Sequence, residues 1–248
     1  MSKNKITTGL CKLCLKDAEL KRSHIIPKKY FNKIRDQNGA YFEVSASGSR
    51  TYNYDYKERL LCGGCEKLLN ENYEKYGNHM FETPQPYRHG SELRIVNYNH
   101  DKAYLYFWSI FWRASVSSHE IFKDIRDIFP PLLREEVRRA LLLGRIPTII
   151  QFGRLDKVVK LRIFKIEIKG VNRVFEQVIS QPSTSRNGMC LMLLGYLIEI
   201  SFDKNQNGRA LSRMSSRVDV VGEEFILSHK YLRAVIVESK LGNIRLET

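Results

Sequence analysis

The chain has 248 residues, with 41 Lys and Arg against 27 Asp and Glu, and a formal net charge of +14. Its hydrophobic fraction of 43% and aromatic fraction of 11% exclude a fully disordered chain, which has too few apolar groups to offset the entropy of ordering. So large a positive charge favours a polyanionic partner, and we expect nucleic acid, with a membrane surface as the rival.

Residues 1–85 are predicted to form the first domain, which is polar and rich in Tyr and Asn. Strands are predicted at Ala40–Ser45 and Tyr52–Lys57, because the second of these alternates aromatic and polar residues with a period of two. A helix is predicted from Glu66 to Met80, where apolar residues recur at spacings of three and four. The domain ends in Thr83–Gly90, where two prolines and a glycine disfavour a continuous helix or strand.

Residues 91–248 are predicted to form a second domain of helices followed by an antiparallel sheet, so that the fold class is α+β. The predicted helices are Tyr104–Ser117, Glu120–Phe129 and Pro131–Leu143, and the predicted strands are Thr148–Phe152, Val158–Ile168, Val174–Ser180, Met189–Phe202 and Lys230–Glu238. The apolar positions change parity at Ile163 and Phe164, which predicts a β-bulge there. We expect this domain to serve in targeting, in binding a partner protein or in forming a homodimer.

No segment is predicted to cross a membrane. The most apolar helical stretch, Ala103–Val116, has about 14 residues, whereas a membrane span needs roughly 20. The first ten residues contain neither an apolar segment nor a small-residue cleavage site of the kind found in secretory signals. We therefore expect a cytoplasmic protein with no membrane partner.

The cysteines predict a metal site. Four of the five form two CxxC pairs, Cys11 with Cys14 and Cys62 with Cys65. In a reducing compartment such pairs are more often metal ligands than disulfides, and Zn²⁺ prefers four soft ligands in a tetrahedron. The pairs therefore predict a structural zinc site; the alternatives are free cysteines or a redox pair, although neither CxxC opens a thioredoxin-like βαβ pattern.

A further motif lies between the two cysteine pairs. The segment from Lys21 to Pro27 reads Lys-Arg-Ser-His-Ile-Ile-Pro, and Leu-Leu precedes the second CxxC. A CxxC pair, then His-Ile-Ile-Pro, then Leu-Leu-Cys-x-x-Cys resembles the HNH endonucleases, the zinc-containing ββα-metal group, over roughly residues 8–80. The resemblance implies an N-terminal zinc-clamped ββα module, followed here by the domain of helices and an antiparallel sheet. It implies a metal-dependent endonuclease that hydrolyses phosphodiester bonds, which we expect to act on DNA, in restriction or anti-phage defence.

The resemblance also implies roles for individual residues. His24 takes the place of the general base, and Glu66, directly after the last cysteine, takes the place of a ligand to a catalytic Mg²⁺ or Mn²⁺ ion. Asn70 lies four positions further along the predicted helix, on the same face, and is the second candidate ligand. A base that titrates near neutral pH and a cation near the phosphate are what phosphodiester hydrolysis requires.

Two departures from the HNH pattern leave a second interpretation open. Ser23 stands before the base, where an acid or a histidine is usual, and no Asn stands where the family has one that orients the base. Asp55 is the acid best placed in the sequence to approach His24. The alternative function is therefore a catalytically degenerate, zinc-stabilised module that binds nucleic acid or protein.

Cations near the motif are expected to bind nucleic acid. Lys21, Arg22, Lys28 and Lys29 lie close to His24 in sequence, where a scissile phosphate has to sit. A second basic segment is the predicted strand Val158–Ile168, which interleaves three cations with apolar residues. That alternation is also typical of any strand with one solvated face. The segment therefore does not distinguish a strand that binds nucleic acid from a strand whose polar face only contacts water.

Overall fold

The computed structural model describes nine stretches of the chain: residues 7–45, 48–80, 87–89, 92–95, 97–149, 153–168, 175–185, 188–202 and 217–221. Within them the chain is an α+β protein whose strands pair mainly antiparallel. The predicted strand Lys230–Glu238 and most of the predicted boundary segment Thr83–Gly90 lie outside the described residues.

The helices and strands have the following bounds. The strands are β1 (Thr8–Leu10), β2 (Asp17–His24), β3 (Tyr41–Ser45), β4 (Gly48–Tyr52), β5 (Lys57–Cys62), β6 (Tyr87–His89), β7 (Glu92–Arg94), β8 (Thr148–Ile149), β9 (Gly153–Arg154), β10 (Val159–Ile166), β11 (Val178–Ser180), β12 (Ser183–Ser185), β13 (Gly188–Leu193), β14 (Tyr196–Phe202) and β15 (Arg217–Val221). The α-helices are α1 (Lys28–Ile34), α2 (Gly63–Leu69), α3 (Lys75–Met80), α4 (His100–Val116), α5 (Lys123–Ile128) and α6 (Pro131–Leu143). A π-helical turn, Asn70–Glu74, joins α2 to α3.

A small sheet and a helix form the N-terminal unit. Strands β1, β2 and β5 pair antiparallel in the order β1-β2-β5, and α2 begins directly after β5. Lys21 pairs with Leu61 but Arg22 pairs with Arg59, so that Leu60 is an extra residue in β5. Such a bulge turns two consecutive side chains to one side, and Leu60 and Leu61 are indeed both buried.

The segment between β2 and β5 leaves the small sheet and joins a larger one. Strand β3 pairs in parallel with β11, which brings strands from both predicted domains into one ten-stranded sheet. Its order is β4-β3-β11-β13-β14-β10-β15-β7-β6, with β12 on β13. The pairs β3–β11 and β10–β15 are parallel and the others antiparallel.

Helix α4 lies in the hydrophobic core. Every residue from Ala103 to Ser115 is buried. Tyr106 on this helix donates a hydrogen bond of 2.6 Å to the hydroxyl of Tyr30, and a Cβ at Gly77 would overlap the Tyr106 ring, so glycine is required where α3 crosses α4. Despite its apolar character, α4 is too short to span a bilayer, and none of the described helices combines the necessary length and hydropathy.

Several predicted elements of the first domain are confirmed and one is wrong. Strand β3 matches Ala40–Ser45, and the helix predicted over Glu66–Met80 is present from Gly63 onward. The strand predicted at Tyr52–Lys57 is wrong, because residues 53–56 connect β4 of the large sheet to β5 of the small one. Asp55 and Tyr56 are both buried there, which no strand with one buried face allows.

In the second predicted domain, the helices are confirmed and two details of the sheet are wrong. All three predicted helices are present, and α6 has the predicted bounds. The predicted bulge is wrong: β10 keeps an unbroken register with β14, and Ile163 and Phe164 are both buried because both faces of the sheet are covered there. The single strand predicted at Met189–Phe202 is two strands, joined at Leu194 and Gly195, whose positive φ angles of 50° and 78° fit a type I′ turn.

Candidate functional site

The two CxxC pairs meet at one end of the β2–β5 pair. Cys11 and Cys14 lie in the turn between β1 and β2, and Cys62 and Cys65 lie where β5 passes into α2. The ligand atoms of all four residues lie within 4.8 Å of one another, and the sulfurs of Cys14 and Cys62 are 3.9 Å apart. Since zinc–sulfur bonds of about 2.3 Å place tetrahedral sulfurs ~3.8 Å apart, the cluster could hold a zinc ion.

The backbone around the cluster favours an ionised thiol. The amide of Cys62 donates a hydrogen bond of 3.3 Å to the sulfur of Cys11. Burial raises the pKa of the Cys11 thiol, but backbone N–H groups of Cys14, Cys62 and Leu13 outweigh burial and bring the pKa down to about 7. Burial and the neighbouring thiols instead raise the pKa of Cys65, as expected for sulfurs that cannot all become negative without a cation between them.

His24 lies at the opposite end of β2, beside a buried carboxylate. Its Nε2 atom is 3.5 Å from Oδ2 of Asp55, whose side chain is only 2% exposed. Lys57 places Nζ 3.1 Å from the same oxygen, and the Arg35 guanidinium forms an ion pair with Oδ1. Two permanent cations and one imidazole therefore surround a single carboxylate.

Burial and charge keep the His24 imidazole neutral. Desolvation lowers the pKa of His24 below its ordinary value of 6.5, and the charge of Lys57 lowers it further. Asp55 acts in the opposite direction, but does not overcome them. A neutral imidazole at physiological pH has a lone pair available, which is what a general base requires.

Helix α4 is tied to the same end of β2 through a buried arginine. Arg113 is 1% exposed, and its Nη1 donates to the carbonyl oxygen of His24 at 2.8 Å and to Oε1 of Glu74 at 2.7 Å. Its Nε donates to the carbonyl of Ser109 at 3.2 Å. Glu74 belongs to the π-helical turn, an irregularity that is frequent at functional sites.

The loop after α4 holds the first residues of β5. Glu58 accepts hydrogen bonds from the Ser117 hydroxyl at 2.5 Å and from the Ser118 amide at 2.8 Å, and these bonds lower the pKa of Glu58 against the opposing effect of burial. His119 Nε2 lies 3.2 Å from the carbonyl of Lys57. The strand that positions Lys57 is therefore fixed by residues from the second predicted domain.

The predicted ligands of a catalytic metal are not gathered into one cluster. Glu66 has a buried oxygen, Oε1, without a hydrogen-bond partner, but Asn70 is exposed, and Ser23 is fully buried with an unpartnered hydroxyl. Across the described ranges, the four cysteines are the only group of three or more Cys, His, Asp or Glu residues close enough to hold a metal ion. The donors present thus suit zinc at the cysteines and do not by themselves complete a site for Mg²⁺ or Mn²⁺.

The predicted nucleic-acid-binding cations are all exposed, but they differ in their surroundings. Lys28 and Lys29 open helix α1, directly after the His-Ile-Ile-Pro segment. Lys21 reaches Glu19 at 2.7 Å, and strand alternation directs both of these to the face of β2 opposite His24. Arg22 lies on the same face as His24.

Comparisons with models of protein families, with curated proteins and with solved structures find no match to this chain. The likeness to HNH endonucleases therefore rests on the sequence motifs alone.

Sequence reasoning missed the residues that come from far along the chain. Arg113 lies 89 positions from His24 and has the apolar surroundings of a core helix, so nothing local in the sequence marks it. Glu74 reads as a solvated helix position, because the π-helical turn that redirects it leaves no clear sequence signal. The proximity of Lys57 to Asp55, two positions away in the sequence, is a signal that could have identified Lys57 as a site residue.

Proposed function

We propose that this protein is an HNH-type nuclease that hydrolyses phosphodiester bonds in nucleic acid, with DNA as the first substrate to test. The observation that carries the proposal is the pairing of His24 with the buried Asp55, with Lys57 and Arg35 on the same carboxylate. The order strand, strand, helix formed by β2, β5 and α2, with four cysteines at one end, supports it.

His24 serves as the general base in this proposal. Asp55 accepts a hydrogen bond from Nε2–H, which leaves the lone pair on Nδ1, and Nδ1 then takes a proton from the attacking water. The separation of 3.5 Å is long for a hydrogen bond, as is common before substrate binds. In this proposal Lys57 and Arg35, which flank Asp55, stabilise the negative charge that develops on the phosphate oxygens.

Glu66 is the residue we assign to a catalytic Mg²⁺ or Mn²⁺ ion, with Asn70 as a weaker candidate. The unpartnered, buried Oε1 of Glu66 supports this assignment, since such an oxygen favours a cation nearby. A bound divalent ion would neutralise charge on the phosphate oxygens. The remaining ligands would come from water and from the substrate itself.

The wider setting of the proposal comes from the resemblance alone. Nucleases with a short HNH motif and an added domain resemble enzymes of restriction, mobile-element and anti-phage systems. We accordingly propose a cytoplasmic defence nuclease, in which residues 91–248 serve in targeting, in partner binding or in forming a homodimer.

A second candidate function is a zinc-stabilised module that binds nucleic acid or protein without cleaving it. The buried Ser23 favours this function, because the position that usually supplies a metal ligand cannot reach solvent. Both functions share the zinc cluster and the cationic surface, so cleavage is the property that separates them.

The test is cleavage by the purified full-length chain. Supercoiled plasmid and single-stranded RNA are incubated with Mg²⁺, Mn²⁺ or EDTA, beside the variants His24→Ala and His79→Ala, and zinc is measured in each protein. We expect metal-dependent nicking by the wild type and by His79→Ala, whose histidine is exposed. His24→Ala is expected to lose cleavage while keeping its zinc and its fold.

Two results would contradict the proposal. Cleavage by His24→Ala equal to that of the wild type would remove His24 as the base. A wild-type chain that holds zinc and binds plasmid but cleaves neither nucleic acid would favour the binding module.

A further inference from the structure

The β2–β5 pair presents two successive cross-strand pairs of basic side chains. His24 lies directly opposite Lys57, and Arg22 lies directly opposite Arg59. Residues that face each other across two strands point to the same side of the sheet, and so do residues two apart on one strand. All four side chains therefore lie on one face, and the two cross-strand pairs are about 7 Å apart along the strands.

Such pairing has an energetic cost in the isolated protein. Like charges placed directly opposite each other in an antiparallel pair, as Arg22 and Arg59 are, destabilise the pair. A ligand with negative charge at the same spacing removes the repulsion.

Several cations elsewhere on the chain form ion pairs with acids a few positions away. Lys21 pairs with Glu19, Arg138 and Arg139 pair with Glu135, and Arg126 lies 3.5 Å from Glu120. On the β2–β5 face, by contrast, Asp55 serves His24, Lys57 and Arg35 together. The exposed Arg22 forms no ion pair with a described residue.

One of the arginines is also held in place. Nη1 of Arg59 donates a hydrogen bond of 2.9 Å to the carbonyl of Leu20 on the neighbouring strand. This bond fixes the guanidinium against the sheet before any ligand arrives. Guanidinium groups recognise phosphate oxygens through paired N–H donors, and a group already ordered loses less entropy on binding.

We propose that this face holds two consecutive phosphates of one polynucleotide strand. Lys57 and Arg35 contact the phosphate beside His24, and Arg22 and Arg59 contact the next phosphate along the strand. The inference rests on the proposed function only in calling the first phosphate the scissile one. The ligand is a chain with at least two neighbouring phosphates, and Arg22 and Arg59 are binding residues that lie one step away from the chemistry.

The test measures binding separately from cleavage. Full-length His24→Ala protein is titrated, in EDTA, against a fluorescent 12-nucleotide oligo(dT) over a range of salt concentrations. Three proteins are compared: the His24→Ala parent, the parent with Arg22→Gln and Arg59→Gln, and the parent with Arg139→Gln and Lys157→Gln. The last protein removes the same charge from exposed positions on α6 and beside β10.

We expect the Arg22→Gln, Arg59→Gln protein to bind several-fold more weakly than the parent at low salt. The slope of log K against log salt should become shallower by about 0.7 for each phosphate of a single strand that the protein no longer neutralises. The Arg139→Gln, Lys157→Gln protein should keep the parental slope. Equal weakening of binding in the two double variants, or an unchanged slope for the arginine pair, would overturn the inference.

A competition experiment tests the number of phosphates. The dinucleotide pTpT, with two phosphates, should displace the oligonucleotide from the parent at a concentration at least tenfold lower than thymidine 5′-monophosphate does. In the Arg22→Gln, Arg59→Gln protein this preference should disappear, whereas retention of the full preference there would contradict two-phosphate binding by these arginines.

The phosphate-binding face and the nuclease function can be contradicted separately. If the wild type cleaves no substrate but the arginine variants still weaken binding, the phosphate-binding face stands and the nuclease proposal falls. If the wild type cleaves but the arginine variants bind like the parent, the nuclease proposal stands and this inference falls. Circular dichroism of each variant establishes that a loss of binding is not a loss of fold.

Discussion

The β2–β5 pair carries different chemistry at its two ends. At the end where β5 meets α2, four soft thiols lie within 4.8 Å of one another and could hold a zinc ion. At the other end, His24 and the buried Asp55 are surrounded by the permanent cations of Lys57 and Arg35. One end offers negative charge to a metal, and the other offers positive charge to an anion.

This difference separates what holds the unit together from what acts on a ligand. The cysteine end connects mainly residues of the N-terminal unit, since both CxxC pairs flank the same three strands, and a single hydrogen bond from Arg138 of α6 reaches the Leu13 carbonyl there. The His24 end depends on the second predicted domain, because Arg113 and the loop after α4 hold β2, β5 and the π-helical turn together. Changes at the two ends should therefore have separable effects on zinc content and on stability.

The largest effect is expected from removing a cysteine. Cys62→Ala should lose zinc and unfold the N-terminal unit, since apparent zinc-binding free energies of ~10–16 kcal/mol match or exceed the total stability of a typical domain. Zinc content by atomic emission and thermal unfolding by circular dichroism measure both consequences. The matched control is Cys190→Ala, which removes a buried cysteine outside the cluster and should keep one zinc per chain. Full zinc occupancy in Cys62→Ala would show that the cluster is not the metal site.

A smaller effect is expected at the other end. Arg113→Ala removes a buried cation that joins the His24 carbonyl to Glu74, and breaking a buried pair costs about 3–5 kcal/mol. Urea unfolding should show this destabilisation while zinc content stays at one per chain. Arg113→Lys should be destabilised less than Arg113→Ala, because it keeps the charge. It should still be less stable than the wild type, because a single nitrogen cannot reach all three acceptors that the guanidinium contacts. Equal destabilisation in both variants would mean that the hydrogen bonds and packing of the guanidinium, and not its charge, hold this end.

The same contrast explains how far the sequence predicts the site. The cysteine cluster is predictable, because each CxxC places two thiols on one turn and zinc chemistry requires two such turns to meet. The sequence favours Asp55 as the partner of His24 but does not establish the contact. Asp55 follows β4, which belongs to a different sheet, so its distance from His24 depends on how the connection between β4 and β5 folds. Local patterns specify chemistry that is close in sequence, as in the two CxxC turns.

Other parts of the fold escape prediction for physical reasons. The π-helical turn shifts the phase of the helix, so that Glu74, and not Asn70, lies beside Arg113. The parallel pairing of β3 with β11 joins segments more than 130 positions apart, which no periodicity within either strand can indicate. The strand predicted at Tyr52–Lys57 fails because its alternation reflects aromatic residues in a connection between two sheets.

The last prediction concerns the pKa of His24, which Lys57 lowers and Asp55 raises. Lys57→Gln should raise that pKa towards 6.5 or above it, whereas Asp55→Asn should lower it further, because the two charges act in opposite directions on the imidazolium. The titration of the His24 ring proton by NMR measures this without requiring catalysis, and the His24→Ala spectrum identifies the signal. Arg139→Gln, on α6, is the charge-matched control and should leave the titration unchanged.

The sign of the shift extends to stability and to activity. Because the folded chain disfavours the protonated imidazole, the His24 contribution to stability is complete above pH 6.5 and declines as the pH falls below that value. If His24 is the base, the acid limb of kcat/KM should follow the NMR titration, moving up in Lys57→Gln and down in Asp55→Asn. If the pKa of His24 shifts in the same direction in both variants, Asp55 and Lys57 do not act on it in opposite directions. The electrostatic difference between this end of the strands and the cysteine end would then be wrong as described.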